Sequence, residues 1–251
     1  CGLTALALTD HDTIDGIPTA RAAGARVGVR VIPGVELSAF HEGHEVHLLA
    51  LHLTHLDGLQ RRLTELRTMR YNRAQAIVEK LNTLGVPLTL DEVLLQSNGG
   101  AVGRPHVARA LIARGVVQDF RDAFTKYLGS AGTAFVPKEH FSIEDAIAIA
   151  HEAGALAIWA HPGDGGRRDR LEPLVAAGLD GLEIRHPSHS GEDVKRLQAL
   201  ADFFNLVPSG GSDWHGAPDG PRRLGIMNVP VEWLERQDER VASVASSPSA
   251  Q

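Results

Sequence analysis

The chain has 251 residues, 43% of them hydrophobic and 22% charged, with 25 basic residues against 31 acidic ones and a formal net charge of −6. That is ordinary globular composition, long enough for one barrel or two domains, and it excludes a basic nucleic-acid coat while leaving room for a local basic groove. No apolar run reaches membrane-spanning length, and the single cysteine, Cys1, excludes an intrachain disulfide, so a reducing, cytoplasmic setting is expected.

Residues 3–9 alternate Leu and Ala over a short run and predict a buried strand. A helix is expected over 13–28, with Thr13 or Asp15 as its cap and Gly28 after its end. The second strand falls within 29–40, interrupted by Pro33-Gly34, and the third covers 46–53. Leu59, Leu63, Leu66, Ile77, Leu81 and Leu84 then follow helical spacing and predict one long helix over 57–84. Shorter helices are expected over 89–96, 105–114 and 119–128, with Pro105 suited to a first turn. With no convincing strand between 57 and 133, this stretch reads as a helical insertion, a domain over 56–133.

Alternation then resumes: a helix over 142–153 opened by the Ser142/Asp145 cap signature, a strand over 155–160, a helix over 168–177, a strand over 181–185, a helix over 192–204 and a strand over 206–210. Returning β-α alternation predicts a parallel barrel or a doubly wound sheet, built from 1–55 and 134–236. The small, polar end of the chain makes 237–251 a disordered tail.

Five hydrophobic segments carry metal-ligand residue types, placing His11, Glu36, His47, His161, Asp213 and His215 at predicted strand exits, and repeated βα exits converge on one face of a barrel. Mixed imidazole and carboxylate ligands there suit a hydrolytic centre with two or three divalent metals. Each residue also has a plainer reading. Asp12 or Thr13 could simply cap a helix, Glu36 could be a solvated strand end, and His47 could be a satisfied core histidine. Gly210–His215 could be a glycine turn with two polar residues. Ala160-His161-Pro162 is more specific, since an apolar strand ends abruptly in a histidine and a proline. In Asp213-Trp214-His215 the spacing puts both ligands on one side of an extended segment. Of the 13 histidines, His41, His44, His55, His140 and His151 read as solvated.

Within the insertion, Gly103-Arg104-Pro105-His106 opens a helix, where an anion is favoured. Arg104 offers a two-pronged phosphate contact, and His106 is a further donor or a general acid. Arg70 and Arg73 are three residues apart on the long helix and can share a phosphate-binding face, although charge on a helix is usually solvation.

Taken in order, TDHDT, IPGVELS, EVHLLAL, GRPHVARAL, AHP and GSDWH resemble the PHP superfamily, named for polymerase and histidinol phosphatase, over residues 3 to about 229. The likeness is to the small phosphoesterase branch that hydrolyses nucleotide 3′,5′-bisphosphates and trims RNA from its 5′ end. It implies a distorted (β/α)7 barrel with an inserted helical cap and two or three divalent ions (Mn, Fe or Zn). His11 would bind one metal, Glu36 would bridge two, His47, His161 and His215 would complete the other shells, and Asp213 would join the first. A metal-bridging hydroxide would attack phosphorus, Arg104 and His106 would take the substrate phosphate, and His106 is the candidate to protonate the leaving oxygen. The substrate would be a nucleotide or short RNA, with no membrane and no obligate protein partner. The family opens with a His-x-His strand followed by an aspartate, which this chain does not carry before Cys1. An N-terminally truncated copy, binding metal weakly and hydrolysing little, is therefore expected, with an open sheet edge. A histidinol-phosphate-type phosphatase and a catalytically impaired nucleotide-binding domain are the competing readings.

Overall fold

The computed structural model describes residues 2–137, 141–216 and 222–246. It divides into two compact units, one of Cys1–Asp10, Ile14–Leu59 and Phe141–Gln251, the other of His11–Thr13 and Gln60–His140. In chain order the elements are β1 (Ala5–Leu8), α1 (Ile17–Val27), β2 (Arg30–His41), β3 (His44–Leu51), α2 (Leu56–Thr83), α3 (Leu90–Ser97), α4 (Arg104–Ala113), α5 (Phe120–Ala123), α6 (Ile143–Glu152), β4 (Leu156–Trp159), α7 (Arg168–Ala176), β5 (Gly181–Arg185), α8 (Gly191–Phe203), β6 (Val207–Gly210) and α9 (Val231–Ser246).

The first unit is built on one curled, six-stranded sheet in which spatial order follows chain order, β1-β2-β3-β4-β5-β6. The expected all-parallel arrangement is not what forms. β1 pairs parallel with β2, and β4 with β5 and β5 with β6, but β3 runs antiparallel to both of its neighbours. The cause is local. Glu42 and Gly43 both adopt positive φ, 49° and 78°, which makes the tight two-residue turn that folds β3 straight back on β2. The fold is thus a mixed α/β half-barrel.

Pro33-Gly34 does not interrupt β2, which runs unbroken for 12 residues. Pro33 pairs with Leu8 of β1, and Pro33 O accepts from Leu53 N, so its missing N–H falls where the strand tolerates it. Gly34 is there for space, since a Cβ would sit 2.9 Å from Thr9 Cγ2 and 3.1 Å from Ala50 O. Leu51, Leu156, Ile158 and Val207 form a buried cluster on this sheet, with Leu49 and Val241 packed on it.

Helix α1 starts later than expected, at Ile17, and its cap is the backbone of Gly16 rather than Thr13 or Asp15. Ser142 does cap α6, its Oγ accepting from Asp145 N at 3.0 Å, and α8 carries a full capping box between Ser190 and Asp193. Residues 237–246, expected in a disordered tail, are the second half of α9 instead. Gln237 is buried there, with Nε2 donating to Pro208 O at 2.8 Å and Oε1 meeting His52 Nε2 at 3.2 Å. Residues 247–251 lie outside the described residues.

The second unit is helical, as the sequence implies, and has a core of its own that includes Leu81, Val93, Val107, Leu111, Ala123 and Leu128. The expected helix over 119–128 is a short α5 followed by a π-helical turn over Phe124–Leu128. Thr89 and Glu92 close a reciprocal capping box on α3.

One histidine read as solvated is not so: His41 buries its Nε2 and presents its ring edge to Trp159 at 6.2 Å. His151 is exposed, as expected, while its Nε2 meets Asp180 Oδ2 at 2.8 Å, and that carboxylate also accepts from Ala157 N, tying α6 to β4. His44 and His55 are exposed, and His140 lies outside the described residues.

Candidate metal centre

Strand direction decides which residues gather. β4, β5 and β6 are parallel, so the residues after their ends, His161, His186 and Asp213, emerge along one edge of the sheet. β3 runs the other way, so its beginning lies beside those ends, and Ala160 N donates to His47 O at 3.0 Å. His47 and Glu36 are therefore not at strand exits, as their motifs suggest. His47 sits in the first half of β3 and Glu36 in the interior of β2, where it pairs with Leu49.

Three candidate ligand groups converge at this edge. Glu36 Oε1 lies 2.7 Å from His47 Nδ1 and 3.1 Å from His161 Nε2, and the two imidazole nitrogens are 3.1 Å apart. Glu36 is buried, and its backbone N donates to Asp10 O at 3.2 Å, which ties this point of β2 to the chain just after β1. The donor set fits a divalent cation. Metal–donor distances of about 2.1 Å place neighbouring donors roughly 3 Å apart, and mixed N and O donors suit Mn, Fe or Zn. Glu36 and His47 belong to a group able to hold such an ion.

Burial pulls the His161 pKa down, but the Glu36 hydrogen bond and the charges of Glu36, Glu183 and Asp213 outweigh it, so the net shift is upward. Asp10 is pushed up by burial, partly offset by His215. For Asp213, burial works upward, yet the His186 hydrogen bond and the nearby His215 and Arg222 hold the carboxyl below its ordinary value.

Asp213 and His215 do come together, but not along an extended segment. Asp213 has φ +48°, and the chain turns so that His215 Nδ1 lies 2.8 Å from Asp213 O and 3.5 Å from Asp213 Oδ1. His215 is exposed. His161 is also left-handed, at φ +30°. Non-glycine residues held in this region cluster at functional sites.

Four residues at this edge are absent from the motif reading. Glu183, buried on β5, accepts from His161 N at 2.7 Å, and burial pushes its carboxyl up to about 8. His186 lies between His161 and His189, its ring 5.1 Å and 5.4 Å from theirs, and meets Asp213 Oδ2 at 3.3 Å. His189 accepts from Gly163 N at Nε2 and donates from Nδ1 to Ile184 O, joining the loops after β4 and β5. Arg222 pairs with Asp213. A signal existed for two of them. Glu183 interrupts an apolar strand, and Arg185-His186-Pro187 repeats the strand-His-Pro pattern of Ala160-His161-Pro162. Arg222, in a Gly/Pro-rich loop, has no such signature.

His11 follows Asp10 directly and, with Asp12, groups with the second unit. Buried Asp12 accepts from Arg70 Nε at 2.5 Å, with φ +49°, so it is not a helix cap. Arg70, Arg73, Gly103 and Arg104 line one pocket of that unit with Ala74, Ile77 and Val102. Arg73 Nε donates to Val136 O at 3.0 Å, and Arg104 lies over the Phe124 ring at 5.6 Å. His106 Nδ1 accepts from Gly103 N at 3.0 Å, leaving the ring proton on Nε2. Burial lowers its pKa, helped by Arg109 and Arg70.

No protein-family profile matches the chain. It is 37% identical over 218 residues to the 5′-3′ exoribonuclease Rnm of Escherichia coli K12, covering 84% of this chain and 74% of the relative. It is 36% identical over 228 residues to the 3′,5′-nucleoside bisphosphate phosphatase of Chromobacterium violaceum, covering 88% and 80%. Among solved structures, a Bifidobacterium adolescentis protein described as a metal-dependent phosphoesterase superposes with a TM-score of 0.84 at 32% identity, over 95% of this chain and 86% of that one. A sheet edge that gathers imidazoles and carboxylates, on a chain this close to such proteins, defines a metal-dependent phosphoesterase. The chain belongs to the PHP superfamily.

Proposed function

We propose that the protein hydrolyses phosphate esters of nucleotides, either 3′,5′-bisphosphate nucleotides or the 5′ ends of short RNA, with two or three divalent ions bound. The observation that carries this reading is Glu36 Oε1 bracketed by His47 Nδ1 and His161 Nε2 within 3.1 Å, in a chain similar to a bisphosphate phosphatase and an exoribonuclease. His11, Glu36, His47, His161, Asp213 and His215 would hold the ions, and the curled sheet is read as part of a distorted (β/α)7 barrel. Bound divalent ions supply Lewis acidity at the phosphoryl group and lower the pKa of the attacking water.

The chain's own residues bind and orient the substrate. Arg104 presents a planar fork of donors to a phosphate, and Arg70 and Arg73 add positive charge on the same pocket. His106 is neutral near pH 7 by its lowered pKa and offers the proton on Nε2. That suits hydrogen-bond donation to a phosphate oxygen; protonation of the leaving oxygen would require the imidazolium form, which the lowered pKa confines to more acidic solution.

The test is manganese-dependent phosphate release from 3′,5′-bisphosphorylated adenosine, beside histidinol phosphate and a 5′-phosphorylated RNA oligomer. Preferred hydrolysis of the nucleotide substrates, abolished by chelator, is expected. Preference for histidinol phosphate would move the assignment to that class, and no hydrolysis by metal-loaded protein would leave a binding role.

A further inference from the structure

We propose that His186 is a positioning residue for Asp213, holding one carboxylate oxygen so that the other keeps a fixed aim. This rests on the reading of Asp213 as a metal ligand. The argument starts from a hydrogen bond whose polarity is fixed. Ser188 N, a backbone donor, points at His186 Nδ1 at 3.2 Å, so Nδ1 accepts and the ring proton sits on Nε2. The Ser188 hydroxyl meets the same Nδ1 at 2.7 Å. Nε2 then donates to Asp213 Oδ2 at 3.3 Å, and Oδ1 is left on the side of His215.

The ring has little freedom. His186 is buried, flanked by the tilted ring of His161 and by His189 in an edge-on contact. His189 is locked in the opposite tautomer, its Nε2 accepting from Gly163 N and its Nδ1 facing Ile184 O. With Nδ1 occupied and Nε2 carrying the proton, His186 presents no lone pair toward the ions and acts as a donor behind a ligand. Such outer partners fix ligand orientation, and their loss typically weakens metal binding about 10–100-fold.

The test uses the whole chain and two readouts. Long-range ¹H–¹⁵N correlation spectra of histidine-labelled, metal-free protein report the tautomer. Calorimetric titration with manganese reports affinity for wild type, His186→Leu and His186→Gln. The Gln amide places an N–H where Nε2–H was, and Leu removes the donor. The expected result is an Nε2–H signal for His186, affinity lowered about 10–100-fold in His186→Leu, and affinity close to wild type in His186→Gln. An Nδ1–H or doubly protonated ring would overturn the proposal. So would equal manganese uptake by all three proteins, or a His186→Gln as weak as His186→Leu. If these results hold while no nucleotide substrate is cleaved, the proposed function fails and the role of His186 stands.

Discussion

His161, Asp213 and Asp12 occupy backbone conformations that most side chains avoid, and each is a residue type that tolerates them best. Asp213→Asn tests whether side-chain charge, rather than backbone shape, is what position 213 supplies. Asn accepts the same φ, so the thermal midpoint should hold while manganese affinity falls by more than the roughly 10–100-fold typical of an outer-shell partner. A lowered midpoint with unchanged affinity would make Asp213 structural. Gly34 is the opposite case, a position that needs the absence of a side chain. Gly34→Ala forces a methyl against Thr9 and the Ala50 carbonyl beside Glu36. A loss of about 1–3 kcal/mol in denaturant unfolding is expected, and an unchanged midpoint would show that the strands simply part. Single residues of the candidate site stand out in the sequence where a strand stops abruptly, as at His161, or where glycines expose a short polar run, as at Asp213. Glu183 and His186 do not, because their roles depend on strands that sequence alone does not place side by side.

At the scale of elements, the second half of α9 shows how a polar-looking segment can be part of the fold. Gln237 is buried by a two-way contact, giving a hydrogen bond to Pro208 O and taking one from His52. Burial holds the His52 pKa below its ordinary 6.5, with Gln237 and Asp238 opposing in part. A base whose pKa is depressed on folding contributes stability that is fully present above 6.5 and lost as pH falls through the folded value. Hydrogen exchange of α9 amides should therefore quicken as pH drops below about 6.5, after correction for intrinsic rates. His52→Gln, which keeps the donor and does not titrate, should flatten that profile, and a wild-type profile already flat would dismiss His52 as the anchor. Helices were the most legible elements, since the long run of leucines gave 57–84 against Leu56–Thr83 observed. The direction of β3 was not legible, because a parallel crossover and a hairpin bury the same alternating strand. Only the Glu42-Gly43 backbone decides between them.

Among the described residues, the sheet and the inserted helices each carry a hydrophobic core of their own. Scanning calorimetry should accordingly resolve two transitions rather than one. Leu111→Ala, in the helical core, should lower one of them by about 2–5 kcal/mol and spare the other. A single transition shifted as a whole would show that the units melt together. The gap in strand patterning between 57 and 133 predicts a linear insertion over 56–133, whereas the compact helical unit is His11–Thr13 together with Gln60–His140.

Every neighbouring strand pair in the sheet is also consecutive in the chain, but β3 and β4 meet across residues 52–155. Closing a flexible loop of that length costs about 4 kcal/mol of chain entropy. While the protein emerges from the ribosome, β1 to β3 can pair early, but β4 to β6 must wait for the intervening segment. Helices with local contacts and their own core fold quickly, so the insertion can be compact before β4 is made. It then shortens the flexible loop that joins the two halves of the sheet. The insertion is thus placed to fold ahead of β4, and damage to its core should slow assembly of the candidate metal-binding edge without touching a residue in it.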